Sequence, residues 1–238
     1  MNIAIMQPYF LPYIGYWQLM AAVDTFVVYD DIEYTKKGWI NRNRYLSNGK
    51  DLYFSIPIKK APDQFFVSQR YVAECYKKDK FKILKKISEA YKKAPFFGDA
   101  YPLVELCFLF KENNLFDFIF NSILEIKKYL NIETRIVISS SLGVFDELRG
   151  ADKVLGIAKS LNANVYKNPI GGIGLYSEKK FQTQGVGLKF IKSRYFEYDQ
   201  LGNEFVPWLS IIDVAMFNDF QSIKKMLSYC DEFERIED

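Results

Sequence analysis

The chain of 238 residues contains no histidine. A Ser/His/Asp or Cys/His relay and a histidine-rich metal centre are therefore excluded, and any general acid or base must come from Asp, Glu, Lys, Tyr or the substrate itself. Cysteine is scarce: Cys75, Cys107 and Cys230 are odd in number, widely spaced and without a C-x-x-C pair. That pattern fits reduced, packed thiols rather than a zinc site or a disulfide framework. No apolar run approaches the ~20 residues of a spanning helix, and the apolar start carries Gln7, Pro8 and Pro12 with no basic segment before it. Membrane insertion and a secretory signal are not expected, and the expected location is the cytoplasm. The net charge of +3, from 32 basic and 29 acidic residues, makes no case for nucleic acid as a partner. Repeats, low-complexity tracts and long linkers are also missing, so one α/β domain over residues 1–238 is expected.

What the chain has in excess is aromatic residues, 21 Phe and 17 Tyr among them. A chain of this length buries roughly 70–75 % of its unfolded surface, so packing takes most of these rings, and the remainder suit stacking on sugars. The richest stretch is the first 45 residues. Residues 2–6 form a short apolar strand, Pro8 and Pro12 forbid regular structure between them, and residues 15–23 repeat apolar positions at helical spacing. A second strand over residues 25–29 completes a βαβ unit, which demands a parallel sheet. Ligands of open parallel sheets bind at the carboxyl ends of the strands. Residues 7–13 and 30–44 should therefore share one rim, and they carry Gln7, Tyr9, Tyr13, Asp30, Asp31, Lys37, Trp39, Asn41, Arg42, Asn43 and Arg44, with Tyr16 one turn into the helix.

Asp30 and Asp31 are placed to orient a sugar hydroxyl, hold a magnesium ion or take a proton from an amine. Adjacent side chains on an extended segment point oppositely, so only one of the two faces the site. Lys36, Lys37, Arg42 and Arg44 supply cations, and arginine can hold a phosphate through a bidentate fork. Two runs over residues 43–58 flank Asn48-Gly49, a type I′ hairpin signal, and predict an antiparallel hairpin added to the sheet. Helices are predicted over residues 77–91, 102–110 and 115–130, the first with Phe81, Leu84, Ile87 and Tyr91 as its buried stripe, so that residues 77–130 form a helical insertion. A buried strand follows over residues 134–139, and the hydroxyls of Ser139, Ser140 and Ser141 after it either bind phosphate or cap a loop. A helix over residues 152–161 and a strand over residues 164–166 lead to Gly171-Gly172-Ile173-Gly174. This glycine loop before a helix over residues 175–182 has the geometry of an anion site, although turning alone also accounts for it. Residues 187–191 read as the last strand, Pro207 as the first position of an apolar helix, and residues 220–230 as a final helix. Asp213 falls on the apolar face of the Pro207 helix, where a carboxylate must be paired with Lys or Arg or serve the site.

The segments MQPYFLPYIGYWQLM, DDIEYTKKGWINRNR and PWLSIIDVAMFN resemble the WbqC-like family, bacterial proteins associated with O-antigen and other surface-polysaccharide gene clusters, and the resemblance runs from Ile3 to about Tyr229. It implies a role in making or decorating glycans built on amino-deoxy sugars. Phe10-x-Pro12-Tyr13-x-Gly15-Tyr16 also resembles the F-x-P-x-H-x-G-H loop of nucleotidylyltransferase-type α/β domains, one residue shorter after the proline and with tyrosine in place of both histidines. Ile138-Ser139-Ser140-Ser141, with Arg149 following, is similar to their Ile-Ser-Ser-Thr-x-x-Arg segment at a different spacing. These likenesses imply a parallel-sheet, Rossmann-like α/β core.

The expected function is a transferase that modifies a nucleotide-linked amino sugar by N-acylation or aminoacylation, drawing on an acyl or aminoacyl donor, free or carrier-bound. The alternatives are nucleotidylyl transfer to a sugar phosphate and sugar-nucleotide binding without catalysis. No cofactor or resident metal is expected. Asp30, Asp31 and Lys37 are the candidate catalytic residues. Gln7, Tyr9, Tyr13, Tyr16, Trp39, Asn41, Arg42, Asn43, Arg44, Gly171, Gly172 and Asp213 are the candidate substrate-binding residues. Gln7, one of the two aspartates, Arg42 and the glycine loop are expected to meet in one cavity, with Asp213 at its wall.

Overall fold

The computed structural model describes residues 1–143 and 147–234. The elements in chain order are β1 (Asn2–Met6), α1 (Ile14–Ala21), β2 (Thr25–Val28), β3 (Arg42–Ser47), β4 (Lys50–Ser55), α2 (Tyr76–Tyr91), α3 (Phe97–Leu109), α4 (Leu115–Tyr129) and β5 (Arg135–Ile138). They continue with α5 (Gly150–Ser160), β6 (Val165–Pro169), α6 (Glu178–Gln182), β7 (Gly187–Ser193), α7 (Ile211–Phe217), α8 (Phe220–Leu227) and β8 (Cys230–Phe233). Six strands form one sheet in the order β5-β2-β1-β6-β7-β8, parallel except for β8. This is a Rossmann-like α/β fold, as the first βαβ unit requires.

Alternation along the strands divides the core between the two faces of the sheet. Ala4, Phe26 and Val28 pack into the larger apolar cluster with α1 and α7, while Ile3, Ile5 and Val27 pack with Val154 and Ile157 of α5 and Phe181 of α6. The helical insertion expected over residues 77–130 is present as α2, α3 and α4. Asn114 caps α4 by accepting from the backbone N–H groups of Phe116 and Asp117. Among the described residues no helix is long and apolar enough to cross a membrane.

Four expectations need correction. The hairpin turns at Asn48 and Gly49, both with positive φ, but β3 and β4 form a sheet of their own. The outer edge of β3 is used elsewhere, because the carbonyl of Arg44 accepts from Ser210 N–H and Leu46 N–H donates to the Tyr91 hydroxyl. Phe81 is exposed, and only Leu84, Ile87 and Tyr91 of its stripe are buried. The last helix ends at Leu227, and β8 pairs antiparallel with β7 beyond the strand predicted to be last. Pro207 lies outside its helix: Trp208 has φ +60, which breaks helical geometry, and Ser210 caps α7 at Ile211.

Candidate functional site

From β1 the chain runs outward to β2 and β5, then returns to the opposite side of β1 to lay down β6 and β7. The direction reverses between β1 and β6, and such a switch point opens a crevice at the carboxyl ends of the strands. A cavity of about 570 Å³ occupies that position. Met6, Tyr9, Pro12 and Tyr13 reach it from β1, Pro169, Ile170 and Gly171 from β6, and Ile191, Lys192 and Ser193 from β7. The hairpin side adds Trp39, Asn43 and Arg44, and Trp208 closes the wall. No carboxylate among the described residues lines it.

Buried polar contacts fix the loop between β1 and α1. Asn43 donates to the carbonyls of Phe10 and Leu11, Ser210 donates its hydroxyl to Leu11 at 2.7 Å, and the indole of Trp17 donates to Pro12. Leu11 is held at φ +50, a conformation costly for a branched side chain that these bonds over-determine. Tyr9 donates to the side-chain oxygen of Gln7, and Tyr16 to the Gln7 carbonyl. Burial, with Tyr13 close by, pushes the Tyr9 phenol up to about 12, and burial also raises Tyr13 and, further, Tyr16. These phenols therefore remain protonated at neutral pH and serve as hydrogen-bond donors.

The cationic side is equally ordered. Arg44 donates to Asp51 at 3.0 Å and to the Trp208 carbonyl at 3.1 Å, while its buried Nε has no hydrogen-bond partner among the described residues. Arg42 turns away from the cavity because its donors are committed to its own loop, to the carbonyls of Gly38 at 2.9 Å and Lys37 at 2.5 Å. Lys37 is exposed and does not line the cavity. Asn41 accepts from Tyr34 and donates to the Ile56 carbonyl, so its amide braces the hairpin.

Asp31 belongs to a second cavity of about 440 Å³ at the ends of β2 and β5, lined also by Tyr29, Phe66, Arg149, Lys153 and Tyr176 among others, while Asp30 is buried beside it and lines neither cavity. Lys153, 3 % exposed, bonds Asp31 at 2.5 Å and lies 5.1 Å from the centre of the Tyr29 ring. Ser139 donates to Asp31 and lies 2.8 Å from Asp30, which also accepts from Ser140 N–H. The serine run after β5 thus holds carboxylates, so it is not a free phosphate loop. Burial, with the charge of Asp31 beside it, pushes the Tyr29 phenol up to about 12. The 3₁₀ segment Ile170–Leu175 joins the two cavities, with Ile170 and Gly171 on the first and Leu175 on the second.

Tyr9, Tyr13, Trp39, Asn43, Arg44 and Gly171 therefore meet as expected. Gln7 and Tyr16 stand behind the wall as supports. The expected meeting of an aspartate and Arg42 with this loop does not occur, because both have nearer partners. Gly172 packs against Asn168, whose amide nitrogen would lie 1.9 Å from an added Cβ, so close packing explains that glycine. Asp213, expected either to pair with Lys or Arg or to stand at the cavity wall, does neither: it is fully buried away from the cavity and takes hydrogen bonds from the neutral donors Tyr91, Tyr198 and Gln200. Burial pushes its carboxyl up to about 6 against the pull of those bonds. Sequence reasoning missed Lys153, Lys192, Ser193 and Trp208 as lining residues. Lys153 reads as one more lysine on an amphipathic helix, and Trp208 as part of an apolar stripe.

A search of curated proteins finds the "Uncharacterized protein Rv1507c" of Mycobacterium tuberculosis (strain ATCC 25618 / H37Rv), 24 % identical over 96 % of this chain and 98 % of that protein. No solved structure matches the chain. The model of the WbqC-like protein family matches residues 7–225, which include every residue lining the first cavity except Met6. The chain belongs to the WbqC-like protein family.

Proposed function

We propose that the protein is a cytoplasmic transferase of surface-glycan biosynthesis that takes a nucleotide-linked amino sugar in the first cavity and acylates or aminoacylates its amine. The observation carrying this reading is a preformed switch-point cavity with aromatic walls, Arg44 and Lys192 at its side and no lining carboxylate among the described residues. Such a lining favours an anionic ligand with flat rings, and the protonated phenol of Tyr13 donates to its oxygens. The sugar nitrogen attacks an activated carbonyl carbon, the bond from that carbon to the leaving group breaks, and the proton shed by nitrogen leaves with that group. This chemistry depends chiefly on positioning, which a rigid cavity supplies without histidine.

The test is incubation with nucleotide-linked 3-amino and 4-amino sugars and a panel of acyl and aminoacyl donors, read by mass. Modification of a panel sugar supports the reading, and no modification and no thermal shift across the panel removes it. A binding role without catalysis is favoured by one observation: the lining phenols are held protonated and offer no base. Tight sugar-nucleotide binding with no product under any donor would decide for it. Nucleotidylyl transfer fits less well, because Tyr16, at the second histidine position of that loop, is buried on the Gln7 carbonyl and cannot reach a phosphate.

A further inference from the structure

We propose that Trp39 stacks the nucleobase of the ligand, so that the nucleotide half lies on the hairpin side of the first cavity; this deepens the reading above and rests on it. Arg42 and Arg44 stand two apart on β3, and Tyr53 is the register partner of Arg44, so the three share one face of the hairpin. Trp39 closes over that face. Its ring centre lies 6.0 Å from that of Tyr53, with planes 14° apart, and the guanidinium carbons of Arg42 and Arg44 lie 5.5 and 5.7 Å from it. Arg42 in turn grips the carbonyls of Lys37 and Gly38, which ties the loop carrying the indole to the cation beneath it.

Trp39 nevertheless stays 37 % exposed and lines the cavity. A large ring packed on one face and open on the other is a stacking surface. The cations behind it decide what stacks there. They already draw on the negative face of the ring, which makes the outer side a poor partner for an ammonium group or for the C–H bonds of a sugar and a better one for an electron-rich base. Arg44 and Lys192 also line the cavity and are the cations within reach of the phosphates.

The experiment is calorimetric titration of the full chain with uridine diphosphate, guanosine diphosphate, inorganic pyrophosphate and glucosamine 1-phosphate. The nucleoside diphosphates should bind about tenfold or more tighter than the two ligands without a base, and Trp39→Ala should remove about tenfold of that affinity while leaving pyrophosphate binding unchanged. Trp39→Phe should keep most of it. Equal binding of all four ligands, or an equal loss for nucleotide and pyrophosphate in Trp39→Ala, overturns the assignment. Sugar modification with a KM indifferent to Trp39→Ala would remove the base site and leave the transferase standing. Trp39-dependent nucleotide binding with no sugar modified would do the reverse.

Discussion

The two cavities on the carboxyl rim lie over neighbouring strands, and they place their charges differently. In the second, the charges of Lys153 and Asp31 are satisfied by each other, with Ser139 holding the far carboxylate oxygen. In the first, Arg44 is anchored by Asp51 from outside the lining and keeps a buried Nε without a partner among the described residues, Lys192 is exposed, and no carboxylate among the described residues lines the cavity. Cations that face a concave site no carboxylate lines are what an anionic ligand requires. A saturated pair mainly holds elements together, here the end of β2 and the start of α5.

The contrast breaks most directly at Lys153. Lys153→Ala leaves Asp31, only 15 % exposed, without its counter-charge and should lower the unfolding free energy by about 3 kcal/mol in urea melts. Lys192→Ala should stay within about 0.5 kcal/mol of the parent, as exposed substitutions do. Equal stability of the two variants would erase the distinction.

Asp213 sharpens it, because this carboxyl is buried with neutral partners only. Its folded pKa of about 6 lies above the ordinary value of 3.8, so the folded chain holds the proton where the unfolded chain has lost it. Its contribution to stability is therefore full below about pH 4 and disappears as pH rises to about 6. At ~1.4 kcal/mol per pH unit, wild type should lose roughly 2.5 kcal/mol relative to Asp213→Asn between pH 4 and pH 7. Parallel pH profiles for the two proteins would show that Asp213 does not titrate in this way.

Within the first cavity, Arg44→Ala should weaken nucleoside diphosphate binding by about 1.5–3 kcal/mol, the size of a charged hydrogen bond. Arg42→Ala should cost less than about 1 kcal/mol, since its donors serve carbonyls of its own loop. Calorimetry in which Arg42 matters more than Arg44 would reverse their assignment. The smallest expected effect is Lys192→Ala in binding, about 0.5–1 kcal/mol at low salt and fading as ionic strength rises. A loss independent of salt would mean a direct, desolvated contact.

The first βαβ unit, the hairpin turn and the aromatic loop were legible because each rests on local chemistry: strand spacing, an Asn-Gly dipeptide and two prolines. The allocation of charges was not. Arg42 and Arg44 look equivalent in sequence, and only the path of residues 37–39 decides that one closes its own loop while the other faces the cavity. Asp31 looks available until Lys153, 122 positions away, is folded against it. The detached hairpin was hidden for the same reason, because its edge partners Tyr91 and Ser210 are distant in the chain.

The first loop depends on the last part of the chain. Leu11 is held by Ser210, Ile211 N–H donates to the Pro12 carbonyl, and the buried amide of Gln18 reaches the carbonyls of Arg194, Met226 and Tyr229. During synthesis the N-terminal segment therefore leaves the ribosome long before its partners exist, with Leu11 having no reason to adopt its strained conformation. The cavity should be among the last features to form, and nascent chains stopped near residue 205 should expose this loop to protease where the full chain protects it.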